Sequence, residues 1–151
     1  MSMMKVAGKN PSGNAAAFAV NASGHQMIEH VWVTEENVAV ESLEIRDTSA
    51  HTSTAIDVST YGLVSLRVKS TLDQAVTIQF YKDTGNTNTT YMYSSTGGAL
   101  NFTIPASDGK VRVFTPDDLP YLPYLGRLRL RLACSTAPST GNISINVVGR
   151  R

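Results

Sequence analysis

Residues 61–81, YGLVSLRVKSTLDQAVTIQFY, are the stretch that decides the fold class of this chain. Apolar and polar residues alternate along residues 64–69 and again along residues 76–81. A period of two with β-branched and aromatic residues predicts two half-buried strands. The polar link between them is short, so we expect an antiparallel hairpin. One face of that hairpin is apolar and requires a second layer of structure over it.

The clearest strand signal covers residues 125–133. Three leucines alternate there with three arginines: Leu128, Leu130 and Leu132 against Arg127, Arg129 and Arg131. A helix would scatter these residues around its circumference, whereas a strand places each set on one face. Residues 125–133 are therefore predicted to form a strand with an apolar face and a cationic face.

Shorter alternating segments predict the remaining strands: residues 28–33, 38–45, 55–58, 100–104, 111–114 and 143–147. Residues 35–37 are predicted to form a turn. The apolar residues change phase between Val40 and Leu43, which predicts a β-bulge or a bend between sheets. No helical period is present. About nine strands with regularly spaced turn signals predict an all-β fold, an antiparallel β-sandwich or jelly roll.

Composition and charge restrict the class of protein. The chain has 151 residues, which suits one domain, and its formal net charge of +1 argues against a mainly electrostatic attachment to nucleic acid or to an anionic membrane. The single cysteine, Cys134, excludes an intrachain disulfide, and we expect it to be a buried structural thiol. The sequence shows no secretory signal and no run of about 20 apolar residues, which predicts a soluble protein made in the cytoplasm.

Residues 1–27 are predicted to form an extended N-terminal arm that precedes a sandwich domain at residues 28–151. Glycine, proline and asparagine interrupt every regular period in the arm, so we expect it to gain order from a neighbouring subunit. The only tryptophan, Trp32, follows the arm. It is interpreted as a core or interface anchor, with a ligand-stacking platform as the alternative.

The row of Arg127, Arg129 and Arg131, called the arginine row below, is the most distinctive polar feature. Like charges along one strand face repel each other unless acids lie opposite. One interpretation is a solvated outer face with acids such as Glu41 or Glu44 across the sheet. The other is a contact strip for the acidic surface of a partner. The near-zero net charge disfavours a nucleic-acid strip.

Signatures of catalysis and of metal binding are missing from the sequence. There is no nucleophile elbow, no phosphate-binding glycine loop and no His-Glu-x-x-His. His25, Glu29 and His30 match no ligand spacing, and Asp117-Asp118 suits a solvated turn better than a calcium site. We therefore predict no enzyme, no metal and no cofactor. Tyr91, Tyr93, Tyr121 and Tyr124 are interpreted as loop or subunit anchors, with a sugar-binding face as the alternative.

Three features together resemble capsid decoration proteins of tailed bacteriophages, of jelly-roll type. They are the glycine- and alanine-rich arm, the segment STYGLVSLRVKSTLDQAVTIQFYKD at residues 59–83, and the last strand pair at the C-terminus. The resemblance implies a virion protein on the capsid surface that binds the major capsid protein, often as a homotrimer, and bridges its copies. Candidate partner contacts are Lys5, Lys9, Phe18, Trp32, Tyr121, Tyr124, Arg127, Arg129 and Arg131.

Two other functions remain open from the sequence. One is a carbohydrate-binding jelly roll, and the other is a different virion component, such as a tail, neck or head-completion protein. Direct nucleic-acid and membrane contacts are not expected.

Overall fold

The computed structural model describes residues 4–9, 15–20, 26–27, 33–85, 89–92 and 100–151. The chain divides into two compact units, Met1–Trp32 and Val33–Arg151. The predicted strand at residues 28–33 lies outside the described residues except for Val33, and so does Trp32.

The first unit contains a small antiparallel sheet in the order β1-β2-β3. Its strands are β1 Met4–Lys9, β2 Ala15–Val20 and β3 Gln26–Met27. The described residues of this segment form strands, although glycine, proline and asparagine interrupt its sequence pattern. Of the interrupting residues, Asn10, Pro11, Gly13 and Asn14 fall between β1 and β2 in the sequence, whereas Gly8 lies inside β1.

The second unit contains two antiparallel sheets. The four-stranded sheet has the order β11-β7-β13-β4, formed by β4 Thr34–Leu43, β7 Leu63–Ser70, β11 Val111–Phe114 and β13 Ile143–Arg150. The six-stranded sheet has the order β10-β8-β12-β5, with β6 also on β12 and β9 also on β8. Its strands are β5 His51–Thr52, β6 Ile56–Asp57, β8 Val76–Asp83, β9 Thr89–Tyr91, β10 Asn101–Ile104 and β12 Arg127–Cys134.

This strand order is that of a jelly roll. Strands β5 and β6 both pair with β12 and can be counted as one interrupted strand, and β9 and β10 both pair with β8 and can be counted as another. Counted in this way, the ten strands from β4 to β13 become eight. Renumbered in chain order, the sheets then have the orders 1-8-3-6 and 2-7-4-5. Two sheets of four strands with Greek-key connections define the jelly roll. The predicted all-β sandwich is confirmed.

The predicted hairpin within residues 61–81 is wrong. Strand β7 pairs with β11 and β13, whereas β8 pairs with β9, β10 and β12 of the other sheet. Both strands carry a fully buried apolar row, and placing the two rows on opposite sheets lets each cover the other. The link between the strands crosses from sheet to sheet and contributes Leu72, which is 0% exposed, to the core.

The predicted irregularity in residues 38–45 is confirmed as a β-bulge. In the pairing of β4 with β13, Ile145 faces Val40 and Ile143 faces Leu43, so β4 contains one residue more than its partner over this interval. Ser42 adopts a positive φ of 43° there. The predicted turn at residues 35–37 is wrong, because these residues lie inside β4.

The core lies between the two sheets and includes a group of aromatic rings. The ring of Phe80 lies 5.6 Å from that of Phe102 and 6.0 Å from that of Tyr121. Cys134 is buried, as predicted, and burial raises the pKa of its thiol. The described residues contain one helix, the 3-10 helix at Leu122–Leu125. No helix in this part of the chain is long and apolar enough to cross a membrane.

Candidate interaction surfaces

The arginine row lies on the outer face of the six-stranded sheet. Its members sit on β12, whose leucines on the opposite face, Leu128, Leu130 and Leu132, are each at most 1% exposed. The separation of the two sets predicted from the sequence is therefore confirmed. Arg127 has 52% of its side chain exposed, and Arg129 has 35%.

Asp83, at the end of β8, is the acid that neutralises part of the row. Its Oδ2 lies 3.1 Å from Nε of Arg129 and 3.6 Å from Nη2 of Arg127, and its side chain is only 4% exposed. The backbone N–H of Gly85 donates to Oδ1 at 2.9 Å. This N–H first, and the two guanidinium groups after it, hold the pKa of Asp83 below its ordinary value despite the opposing effect of burial.

Glu41 and Glu44, the acids expected opposite the row, do not fill that role. Glu41 lies on β4, in the other sheet, and Glu44 pairs with Arg46 at 3.0 Å. The expectation failed because a cross-strand partner depends on which strands are neighbours. The neighbours of β12 are β8 on one side and β5 and β6 on the other.

Gln79 and Asp57 are further neighbours of the row. Arg131 donates to Oε1 of Gln79 at 3.1 Å. The register places Asp57 of β6 opposite Arg127, so this end of the row lies beside the carboxylates of Asp83 and Asp57. The guanidinium group of Arg127, whose side chain is 52% exposed, is therefore open to a partner surface that carries negative charge.

A second surface lies on the outer face of the four-stranded sheet, where β11 ends. It is a depression of about 250 Å³, called the β11 depression below, lined by Leu63, Ser65, Val113, Thr115, Pro116, Val148 and Arg150. Leu63 is 37% exposed and Val113 is 56% exposed. Nothing in the sequence indicated this surface, since its residues come from three separate strands and one loop.

The tyrosines have different environments. Tyr121 is half-buried, its ring meets Phe80 edge to face at 76°, and burial raises the pKa of its hydroxyl. Tyr124, in the 3-10 helix, is 85% exposed. Tyr91 lies in β9, and Tyr93 lies outside the described residues. Tyr121 therefore anchors its loop on the core, whereas Tyr124 is available to a partner.

Three further sequence candidates lie in the strands of the first unit. The β1–β2 register pairs Lys5 with Ala19, Lys9 with Ala15 and Val6 with Phe18. Their roles as partner contacts remain predictions.

Asp83→Asn is expected to lower the stability of the folded protein at neutral pH and to make that stability less dependent on pH in acid. The pKa of Asp83 is lower in the folded state than in the unfolded chain, so its contribution to stability is present above about pH 4 and is lost as the pH falls through the folded-state pKa. The variant lacks this contribution, so its stability should fall less steeply below about pH 4 than that of the original protein. Urea unfolding at a series of pH values between about 7 and about 2.5 measures the effect. The control is Asp117→Asn, because Asp117 is exposed. Parallel curves for all three proteins would contradict it.

Comparison with known proteins identifies a likeness in fold. No protein-family model matches the chain, and no curated protein does either. The structure is similar to the crystal structure of the SPBc2 prophage-derived protein YomS, with a TM-score of 0.50 and 11% sequence identity. The match covers 83% of this chain and 99% of that chain.

Proposed function

We propose that this protein is a structural, non-catalytic component of a bacteriophage virion. In this role it binds the outer surface of the capsid and bridges neighbouring copies of the major capsid protein. The observation that carries the proposal is the likeness in fold to a prophage-derived protein, which spans 99% of that chain. The jelly-roll topology supports it, because viral capsid proteins are among the main users of this fold.

The arrangement of exposed surfaces in the second unit suits a bridging protein. The arginine row and the β11 depression lie on the outer faces of two different sheets of one sandwich. These faces are directed away from each other, so two partners are able to bind at once without competing. A modest affinity at each contact is multiplied when many copies bind a symmetric shell.

The first unit supports a role in assembly for a different reason. Its described residues form one three-stranded sheet, whose third strand has only two residues. In the proposed function, this sheet contacts the shell or a neighbouring copy in a trimer. Ordering on binding costs chain entropy, but it lets a short segment cover a large surface of its partner.

The proposal is tested on purified particles of the phage that encodes this chain. We expect mass spectrometry to find the protein in the particles, and cryo-electron microscopy to find it at positions that follow the icosahedral lattice. Removing the protein should lower the temperature at which filled particles rupture. Absence from the particles would refute a virion role, and density confined to a tail or neck would replace the capsid assignment.

Arg127→Glu is expected to weaken binding to empty shells by about tenfold, because it reverses the charge of the exposed member of the arginine row, whose other two members are half-buried. Arg46→Glu is the matched control, since Arg46 is 41% exposed and lies outside the row. Co-sedimentation of each variant with shells at two salt concentrations measures the effect. Equal binding of the two variants would exclude the arginine row as a shell contact.

A further inference from the structure

The β11 depression exists because β11 is shorter than the strand beside it. The pairing of β11 with β7 runs from Val111–Lys69 to Phe114–Leu66 and stops there. Leu63 and Ser65 lie beyond the last pair, where the chain leaves the sheet through Thr115 and Pro116. Val148 of β13, 6% exposed, forms the apolar floor of the depression.

Exposed apolar side chains gather around this depression. Within the described residues, six large apolar side chains are exposed: Val33, Val38, Leu63, Val111, Val113 and Tyr124. Three of them lie along this edge, namely Leu63 and the two valines of β11. An edge strand that exposes two valines presents apolar surface together with a sheet edge that no other described strand pairs with, and proteins normally cover such a combination.

Arg150 gives the depression a charge preference. In the described part of the chain, every other arginine contacts a carboxylate or an amide oxygen: Arg46, Arg67, Arg112, Arg127, Arg129, Arg131 and Arg151. Only the Arg150 guanidinium has no such contact there. The hydroxyls of the lining are already used, since Ser65 donates to the Val148 carbonyl at 3.4 Å and Thr115 to Asp118 at 2.8 Å.

The size of the depression points to a side chain as its occupant. Pockets for cofactors and drug-sized ligands have volumes of about 300–1,000 Å³ and enclose most of the ligand. The β11 depression, at about 250 Å³, lies open on a sheet face and is smaller than that range. It suits one or two apolar side chains of a protein segment, with a carboxylate near enough to pair with Arg150.

We infer that the β11 depression binds an extended segment of a partner protein. An apolar side chain of the segment occupies the space between Leu63, Val113 and Val148, and the carboxylate of an adjacent Asp or Glu pairs with Arg150. This inference deepens the proposed function and rests on it for one point, the identity of the partner as the capsid protein. The chemistry of the bound segment is inferred from the geometry of the depression alone.

A random-peptide display library, selected on the full chain and counter-selected on the Val113→Glu variant, tests the inference. Val113 is 56% exposed, so this substitution should leave the fold intact while placing a charge in the depression. We expect the enriched peptides to share an apolar residue next to Asp or Glu. Enrichment of no peptide, or of peptides without this pair, would overturn the inference.

Arg150→Gln then tests the ionic part with synthetic versions of the enriched peptides. We expect about a tenfold loss of affinity, the same loss when the peptide acid becomes its amide, and no further loss when both changes are combined. Arg67→Gln, on the same sheet face but outside the depression, should keep the original affinity. Equal affinity of Arg150→Gln and the original protein would overturn the inference.

Two further results separate this inference from its alternatives. If sedimentation shows that Val113→Glu dissociates a homo-oligomer, the occupant is a second copy of this chain, and the inference is wrong. If the protein binds shells but selects no peptides, the inference alone fails. If it selects the predicted peptides but is absent from virions, the proposed function alone fails.

Discussion

Replacing Gly141 by alanine is expected to lower the free energy of unfolding by at least about 3 kcal/mol, which combines a strained backbone with an overpacked contact. Gly141 has a φ of +86°, and a Cβ atom there would lie well under 3.0 Å from the carbonyl of Thr71. Thr71 is unable to retreat easily, because its N–H donates to the Asn142 carbonyl at 2.8 Å. The contact joins the link between β7 and β8 to the link between β12 and β13.

Gly109→Ala is the matched control for the Gly141 prediction. Gly109 also has a positive φ, +61°, but nothing lies within 4 Å of the Cβ position. Gly109→Ala should therefore lower the free energy of unfolding only through backbone strain, by about 1 kcal/mol. Urea unfolding followed by circular dichroism measures both variants. Equal losses would mean that the approach of the two links does not limit position 141.

Gly149→Ala is expected to destabilise the protein by about 2–3 kcal/mol through overpacking alone. Gly149 lies in β13, and a Cβ atom there would meet the ring of Tyr61 well under 3.0 Å. The ring is held in place at its far end. Its hydroxyl donates to Oε2 of Glu35 at 2.7 Å and accepts from Nδ2 of Asn37 at 3.1 Å. Moving the ring therefore breaks two hydrogen bonds that attach it to β4.

Two further variants separate this steric cause from a general intolerance of alanine. Gly62→Ala makes only an ordinary contact at 3.9 Å with the Arg150 carbonyl, so its effect should stay within about 0.5 kcal/mol. In a Tyr61→Ala background, Gly149→Ala should lose most of its effect, because the atoms that it meets are gone. Additive losses in the double variant would contradict the explanation. Thermal and urea unfolding give the four corners of this cycle.

Alternation in the sequence was sufficient to predict which residues of the main strands are buried. Leu128, Leu130 and Leu132 face the core, and the arginines between them face outward, as the pattern predicted. The bulge after Val40 was also predictable, since an extra residue shifts the phase of a local pattern. The sandwich class followed from the number of such strands and from the lack of helical periods.

Strand β11 shows where alternation misleads. Its sequence, Val-Arg-Val-Phe, would assign the two valines to the core, yet both are more than half exposed. The register pairs Arg112 with Val68 and Phe114 with Leu66, so these two residues share the inner face. Phe114 packs on Phe102 at 4.0 Å, and Arg112 pairs with Asp108 at 2.7 Å, so the large side chains at this edge determined the orientation of the strand.

The candidate surfaces divide in the same way. The arginine row was visible in the sequence because its members lie on one strand, two residues apart. Its acid, Asp83, was not, because Asp83 lies 46 residues from Arg129 along the chain. The β11 depression was equally hidden, since Leu63, Val113 and Val148 meet only after three strands have paired.

By itself, the sequence determined the strands and their buried faces, because the direction of successive side chains along a strand follows from local backbone geometry. Only the tertiary structure decided that β7 and β8 belong to opposite sheets, which acid meets the arginine row and where glycine is required. These features depend on contacts between distant segments. A short polar link allows either a hairpin or a crossing between sheets, and the burial of two apolar faces against each other selects the crossing.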